Sequence, residues 1–284
     1  MKVAFIGNCQ AQLMQSWVGG QIADISIVQV PPVWLLEEYQ RASLLEGLDQ
    51  CDYIFTQRLT DDLDAEYART SFLRQRYGDR LIVWPNIYFD GYFPGLGYRY
   101  DGTGGKYLSP LDEYHFSFVR TMFEAGASSA DACAALTTEA LFQWHPDPVT
   151  ASLLRLRERE DEVDVSISDY LAVMLAVDRT MFSMNHPTNA TILEMLRRLF
   201  GHIGETRRLA GLVDNPFPLN KIIIPVLQPI ARLYRLRFDE DCQPFKGLEY
   251  QVHNGRVEVS DRVRFYDAAS LIDAFFYCYS LESA

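Results

Sequence analysis

A short apolar run, Val3-Ala4-Phe5-Ile6, ends in Gly7 and delivers Asn8-Cys9-Gln10 to the start of an Ala-Gln-Leu-Met-Gln-Ser-Trp stretch. A run of that kind reads as a buried β-strand and the stretch after it as a helix, so Cys9 falls at a strand-to-helix turn. In an open α/β sheet such a turn lies at the carboxyl end of the strand. Ligands bind there, and the free N–H groups of the next helix favour an anion. A thiol in that position has a physical reason to be partly thiolate. The competing reading is a small buried hydrophobe that carries sulfur.

Four further β-type runs follow, at 25–30, 53–57, 81–85 and 181–184, and amphipathic stretches at 35–48 and 61–77 separate the earlier ones. This alternation predicts an α/β fold on a small parallel five-stranded sheet with right-handed crossovers, flavodoxin-like or hydrolase-like in its connections. The Gly-, Pro- and Tyr-rich region 91–107 has no period and reads as a long loop. Helices are expected at 113–125, 129–144, 148–160, 168–176 and 189–200, the last capped by Thr188 or Asn189. The composition changes at 214–218. Beyond it a helix is expected at 222–236 despite Pro225 and Pro229, then a hairpin at 249–259 turning at Asn254-Gly255, then a helix at 268–279. The expected organisation is a main domain, 1–213, and a C-terminal appendage, 214–284, of helix, hairpin and helix.

The net charge of −12 argues against a nucleic-acid partner, whose phosphates demand a surplus of Lys and Arg on one face. Of the 26 basic residues 22 are arginine, however, which leaves open a local pocket for a phosphorylated small molecule. The five cysteines are odd in number, scattered and without a C-x-x-C, which speaks against a disulfide framework and a structural zinc site. With no signal peptide or transmembrane run, and Met-Lys-Val leading into a strand, a cytoplasmic protein is expected.

The second chemical constellation is Asn185-His186-Pro187-Thr188-Asn189, between the fifth apolar run and a Leu-rich helix. If the strands form one sheet, Cys9 and His186 emerge on the same rim as a nucleophile and base pair. Gln57 and Asn86 end two other runs, where their carboxamides can face a developing oxyanion or simply cap loops. His115 is a second candidate imidazole. Arg155 and Arg159 share one helical face with Arg157 on another, as a phosphate clamp or as an i,i+4 ion-pair ladder.

Taken together, Gly7-Asn8-Cys9-Gln10, Gln57, the stretch 85–92, Ser152-Leu153-Leu154 with Arg157-Glu158, Ile167-Ser168-Asp169-Tyr170 and the 185–189 motif resemble the WcbI-type capsular polysaccharide biosynthesis family over about residues 1–205. The resemblance implies a protein that binds coenzyme A or acetyl-CoA and acts as an O-acetyltransferase on a sugar of a surface polysaccharide. Its first block is similar to SGNH-type esterases, with Cys9 where a Ser would stand. On that reading Cys9, His186, Asn8 and Gln57 carry the chemistry. Gly7, Gln10, Arg58, Asn86, Lys106, His115, Arg120, Arg155, Arg157, Asn185 and Asn189 surround the cofactor, whose phosphates need a locally positive pocket. Either Cys9 takes the acetyl group, or it lines the thiol end of the cofactor while His186 activates a sugar hydroxyl. An SGNH-like esterase and a non-catalytic coenzyme A-binding subunit of a glycan assembly complex are the alternative readings.

Overall fold

Val3, Ala4, Phe5 and Ile6 are all fully buried, as a strand covered on both faces must be. This strand, β1 (Lys2–Ile6), runs through Gly7 and Asn8 into α1 (Cys9–Gln21), which leads to β2 (Ser26–Val28). α2 (Arg41–Asp49), β3 (Tyr53–Gln57), α3 (Thr70–Tyr77) and β4 (Leu81–Trp84) follow. The four strands form a parallel sheet in the order β2-β1-β3-β4, with Ala4 beside Val28 on one side and beside Ile54 on the other. The computed structural model describes residues 1–215, 218–238, 243–253 and 256–282. They fall into two units, Met1–Tyr88 with Leu154–Ala172 and His186–Leu219, and Phe89–Leu153 with Val173–Asn185 and Asn220–Ala284.

In the first unit, alternate residues of each strand face opposite sides of the sheet. Ala4, Ile6, Ile54, Leu81 and Val83 pack against Leu44 and Leu48 of α2 and Leu73 and Tyr77 of α3. On the other side Phe5 stacks on Phe55 at 5.1 Å and Phe55 on Phe200 at 5.5 Å, Phe200 coming from the helix Asn189–His202. The order 2-1-3-4 reverses direction between β1 and β3, and such a switch point opens a crevice beyond the carboxyl ends of those strands.

The α/β architecture is the one expected, but the sheet has four strands rather than five. At the β4 edge, where a fifth strand continuing the order would add, the backbone of Val83 already has partners. The Val83 N–H donates to Asp164 Oδ2 at 2.7 Å, and the N–H groups of Asp164 and Val165 donate to the Val83 carbonyl at 2.9 and 3.2 Å. The run 181–184 instead contributes Met181–Ser183 to the second unit, where the Phe182 carbonyl accepts from the Ile224 N–H.

Other differences have local causes. The expected 35–48 helix begins only at Arg41, because Glu37 and Gln40 cap a separate 3₁₀ turn, and 61–77 shortens to a 3₁₀ turn and α3. The helix expected at 222–236 shrinks to Gln228–Leu233 with Pro229 in its first turn, since Pro225 holds the preceding backbone extended. Residues 113–125 divide into a strand, Tyr114–Phe116, and a helix, Ser117–Glu124.

In the second unit, Tyr114–Phe116 pairs antiparallel with Leu96–Tyr98, so the long loop is partly ordered into a sheet. Phe245–His253 and Arg256–Tyr266 form the expected antiparallel pair, with His253 beside Arg256, while the Asn254-Gly255 turn lies outside the described residues. The final helix, Ala268–Glu282, brings Phe275 and Tyr279 against His115.

His115 is almost completely buried, with Nε2 3.2 Å from the Tyr107 carbonyl and Nδ1 3.3 Å from the Tyr279 hydroxyl. A carbonyl only accepts, which assigns the proton to Nε2 and leaves Nδ1 to accept from the hydroxyl. Burial, aided by the nearby Arg99 and Arg120, pushes the imidazole pKa down from 6.5 to about 4 against the opposing bond to Tyr107. The unfolded chain protonates near 6.5 and the folded one near 4. Stability is therefore full above pH 6.5 and falls as pH drops through this window, by up to roughly 3 kcal/mol. Urea titrations between pH 7 and pH 4 should show this loss in the wild type and a flatter profile in His115→Gln, and equal profiles would contradict it.

Candidate functional site

Three strand exits converge at the switch point on a bundle of carboxamides. After β1, the Asn8 N–H donates to Gln57 Oε1 at the end of β3, at 2.8 Å. Gln57 Nε2 donates to Gln10 Oε1 at 3.1 Å, and the same oxygen accepts the Ile87 N–H at 3.1 Å. Gln10 Nε2 reaches Asn86 Oδ1 at 3.1 Å and the Ile87 carbonyl at 2.8 Å, beyond β4, while Asn8 Nδ2 donates to Asn86 Oδ1 at 3.0 Å. Gln10 and Gln57 are buried, and such groups are retained inside a fold only when partnered. Gly7 makes the close approach possible, since a Cβ built there would lie 2.4 Å from Gln57 Oε1.

This bundle fixes the start of α1. Asn8 is its N-cap, with Oδ1 accepting the Gln10 N–H at 2.9 Å, and Cys9 is the first helical residue. The backbone N–H groups of Cys9 and Gln10 face the sulfur and favour the thiolate, but desolvation outweighs them and pushes the thiol from 9.0 up to about 11. The expectation of a partly ionised thiol is thereby corrected. At neutral pH Cys9 is a protonated thiol at a helix N-terminus.

Among the described residues, cavities open on the same rim. The segments leaving β2 and β3 enclose one of about 520 Å³, lined by Val33, Trp34, Glu37, Arg58, Asp62 and Asp64 among others. The Val33 N–H donates to the Gly7 carbonyl at 3.1 Å, tying this wall to the turn that carries Cys9. The second cavity, about 300 Å³, is lined by Arg58, Thr60, Thr70, Ser71, Arg74 and Glu162 among others. Arg58 pairs with Glu162, and Arg74 with Asp164 at 3.0 Å. Trp34, Thr70 and Arg74 were not singled out from the sequence. For Trp34 the signal available was its place in the segment leaving β2, whereas Thr70 and Arg74 lie on α3, which the sequence gives no reason to connect with the rim.

Of the residues selected from sequence, Gly7, Asn8, Cys9, Gln10, Gln57 and Asn86 are brought together directly. Arg58 is the one selected cation that lines a rim cavity among the described residues. His186 lies in the same unit, in a short strand ahead of the helix Asn189–His202. Thr188 takes the N-cap position of that helix, and Asn189 Nδ2 donates to Asp214 at 2.6 Å and to the Asn215 carbonyl at 2.9 Å. Arg155 and Arg157 are exposed on the helix Pro148–Glu160, whereas Arg159 lies over the Tyr88 ring at 4.9 Å.

Lys106, His115, Arg120 and Asn185 belong to the second unit. Lys106 pairs with Glu113 at 2.6 Å and sits 4.2 Å above the Tyr98 ring. Arg120 pairs with Glu124 at 2.6 Å and lies over the Tyr279 ring at 4.9 Å. Asn185 accepts from the Tyr114 hydroxyl at 2.7 Å and donates to the Tyr98 hydroxyl at 2.9 Å.

Comparison with known proteins decides the family. The model of the polysaccharide biosynthesis enzyme WcbI matches residues 2–208. The chain belongs to the WcbI family. A solved WcbI, described as a novel polysaccharide biosynthesis enzyme in its native form without a disulfide bond between coenzyme A and one of its cysteines, superposes with a TM-score of 0.75 at 17% identity. The alignment covers 100% of this chain and 90% of that one, and at this identity it speaks for the fold. No curated protein matches the sequence. The thiol turn, its carboxamides and His186 all fall inside the stretch matched by the WcbI model. Among the described residues of this WcbI-family chain no helix is long and apolar enough to cross a membrane.

The state of Cys9 is directly measurable. A thiol that ionises near 11 is thiolate in only about one molecule in ten thousand at pH 7. Alkylation of Cys9 by iodoacetamide, followed by peptide mass spectrometry, is expected to be slow at pH 7 and to rise steadily up to pH 10 in the folded protein. Fast, pH-independent labelling above pH 6 would contradict a neutral, desolvated thiol.

Proposed function

We propose that this WcbI-family chain is an acetyl-CoA-dependent O-acetyltransferase acting in the cytoplasm on a sugar hydroxyl of a surface polysaccharide precursor. The observation that carries the reading is the placement of Cys9 at the amino end of α1, on the switch-point rim and braced by Asn8, Gln10, Gln57 and Asn86. A rim of this kind suits coenzyme A in its donor set. The α1 N-terminus offers N–H groups, and Arg58 and Arg74, which pair with Glu162 and Asp164, keep further guanidinium N–H donors for phosphate beside the Thr60, Thr70 and Ser71 hydroxyls.

Bound acetyl-CoA supplies an activated acetyl thioester. The protonated state of Cys9 favours direct transfer over an acetylated cysteine, because a thiol held near 11 is a poor nucleophile at pH 7. Cys9 then lines the thiol end of the cofactor. His186 takes the proton of the attacking sugar hydroxyl at an imidazole nitrogen and returns it to the departing sulfur, so the proton count closes within the site. The N–H groups at the start of α1 are donors for the negative charge that develops during attack.

The test is binding first and transfer second. Coenzyme A at a hundredfold excess over its Kd should stabilise the wild type by about 2.7 kcal/mol, read as a rise in Tm. His186→Ala should keep that rise and lose at least about a hundredfold in acetyl transfer to a de-O-acetylated polysaccharide, the size of a general base contribution. Intact-mass spectra during turnover should show no acetyl group on Cys9. No stabilisation by coenzyme A would overturn the reading, and acetate release without any sugar acceptor would favour an esterase instead.

A further inference from the structure

The 520 Å³ rim cavity has a lining that a cofactor's phosphates do not explain. Its walls carry three carboxylates, Glu37, Asp62 and Asp64, against a single cation, Arg58, which is already paired with Glu162. The Thr60 hydroxyl donates to Asp62 and holds its carboxyl below the usual range. A wall of that sign repels phosphate. It accepts hydrogen bonds well, however, and an ionised carboxylate is an acceptor with several lone pairs.

The other conspicuous lining group is Trp34, a large apolar side chain left 61% exposed beside these acceptors. Exposed indole next to carboxylates matches one ligand chemistry closely. A pyranose has an apolar face of C–H bonds, which the negative face of an aromatic ring attracts, and a rim of hydroxyls, which carboxylates accept. The cavity volume lies within the span of about 300–1,000 Å³ typical of small-ligand sites. The bond from the Val33 N–H to the Gly7 carbonyl ties this wall to the turn that presents Cys9.

We propose that the cavity between the β2 and β3 exits, with Trp34 as platform and Glu37, Asp62 and Asp64 as acceptors, binds an uncharged pyranose of the glycan acceptor. The assignment deepens the transferase reading and rests on it for the role of that sugar, but the binding itself is independent of the cofactor. On this assignment phosphate donors and sugar acceptors occupy neighbouring parts of the rim, separated by charge, with Arg58 on the boundary.

The experiment is saturation-transfer NMR on the full chain with methyl α-D-glucopyranoside, methyl α-D-mannopyranoside and methyl β-D-galactopyranoside, alongside glucose 6-phosphate. Each protein is also assayed for its Tm rise with coenzyme A. At least one neutral glycoside should bind the wild type, and the phosphorylated sugar should bind more weakly. Trp34→Ala should weaken the glycoside by about tenfold while leaving the coenzyme A shift unchanged, and Trp34→Phe should restore part of the loss. Because Trp34 is exposed, its removal leaves the core intact, which circular dichroism checks. Binding of none of the glycosides to the wild type, retention of binding in Trp34→Ala, or loss of the coenzyme A shift in that variant would each overturn the assignment. Glycoside binding to a wild type that coenzyme A does not stabilise would leave the sugar site standing and remove the transferase reading alone.

Discussion

The interaction on which the site depends is the buried exchange of hydrogen bonds among Asn8, Gln10, Gln57 and Asn86. These four side chains leave three parallel strands at their carboxyl ends, where backbone groups have run out of ladder partners. The Asn8 N–H finds Gln57, and the Ile87 N–H and carbonyl find Gln10. An unpartnered buried donor or acceptor costs about 1–3 kcal/mol, so the bundle is held together by the penalty for breaking it. It is also neutral. A carboxylate in the same place would put an uncompensated charge beside the sulfur, whereas carboxamides fix geometry without setting the local field.

That geometry explains why two opposing influences meet at Cys9. The helix start offers N–H donors that stabilise a thiolate, and the packing of the turn removes the water that a thiolate needs. A rise from 9.0 to about 11 corresponds to roughly 3 kcal/mol in favour of the protonated form, so burial decides. A thiol held in that state is a poor standing nucleophile at neutral pH, and on the proposed transferase reading the proton transfer falls to His186. On the assignment proposed above, the carboxylates and Trp34 at the β2 and β3 exits divide the rim into a part for hydroxyls and a part for anions.

Much of the fold was legible because apolar periodicity reports burial. Val3-Ala4-Phe5-Ile6, the glycine after it and the helix that begins at Cys9 sit where the pattern puts them, and parallel pairing follows from strand and helix alternation, whereas the N-cap role of Asn8 was not read from the sequence. Length was the weak point at 181–184, since a short apolar run fits any sheet. In the structure the run belongs to the second unit, and the β4 edge is met instead by Asp164 from far along the chain. The site divides in the same way. Gln57 and Asn86 could be recognised as strand-end amides, but their hydrogen-bond partners depend on which strands are neighbours. The sequence therefore suggested donors for a reacting atom where the structure shows Gln57 bonded to Asn8 and Gln10. Trp34 escaped notice because an apolar residue in a Pro-Pro-Val-Trp-Leu-Leu segment looks like core until its exposure is known.

The most direct test of the account is to remove the Gln57 carboxamide while keeping its bulk. Gln57→Leu leaves the Asn8 N–H and a Gln10 lone pair without their partner, and the stability of the folded chain should fall by about 1–3 kcal/mol in urea titration. In the same sample, loosening the turn should admit water to the sulfur and speed the alkylation of Cys9 at pH 8. Unchanged stability together with an unchanged alkylation rate would contradict the claim that this carboxamide bundle holds the thiol turn in place.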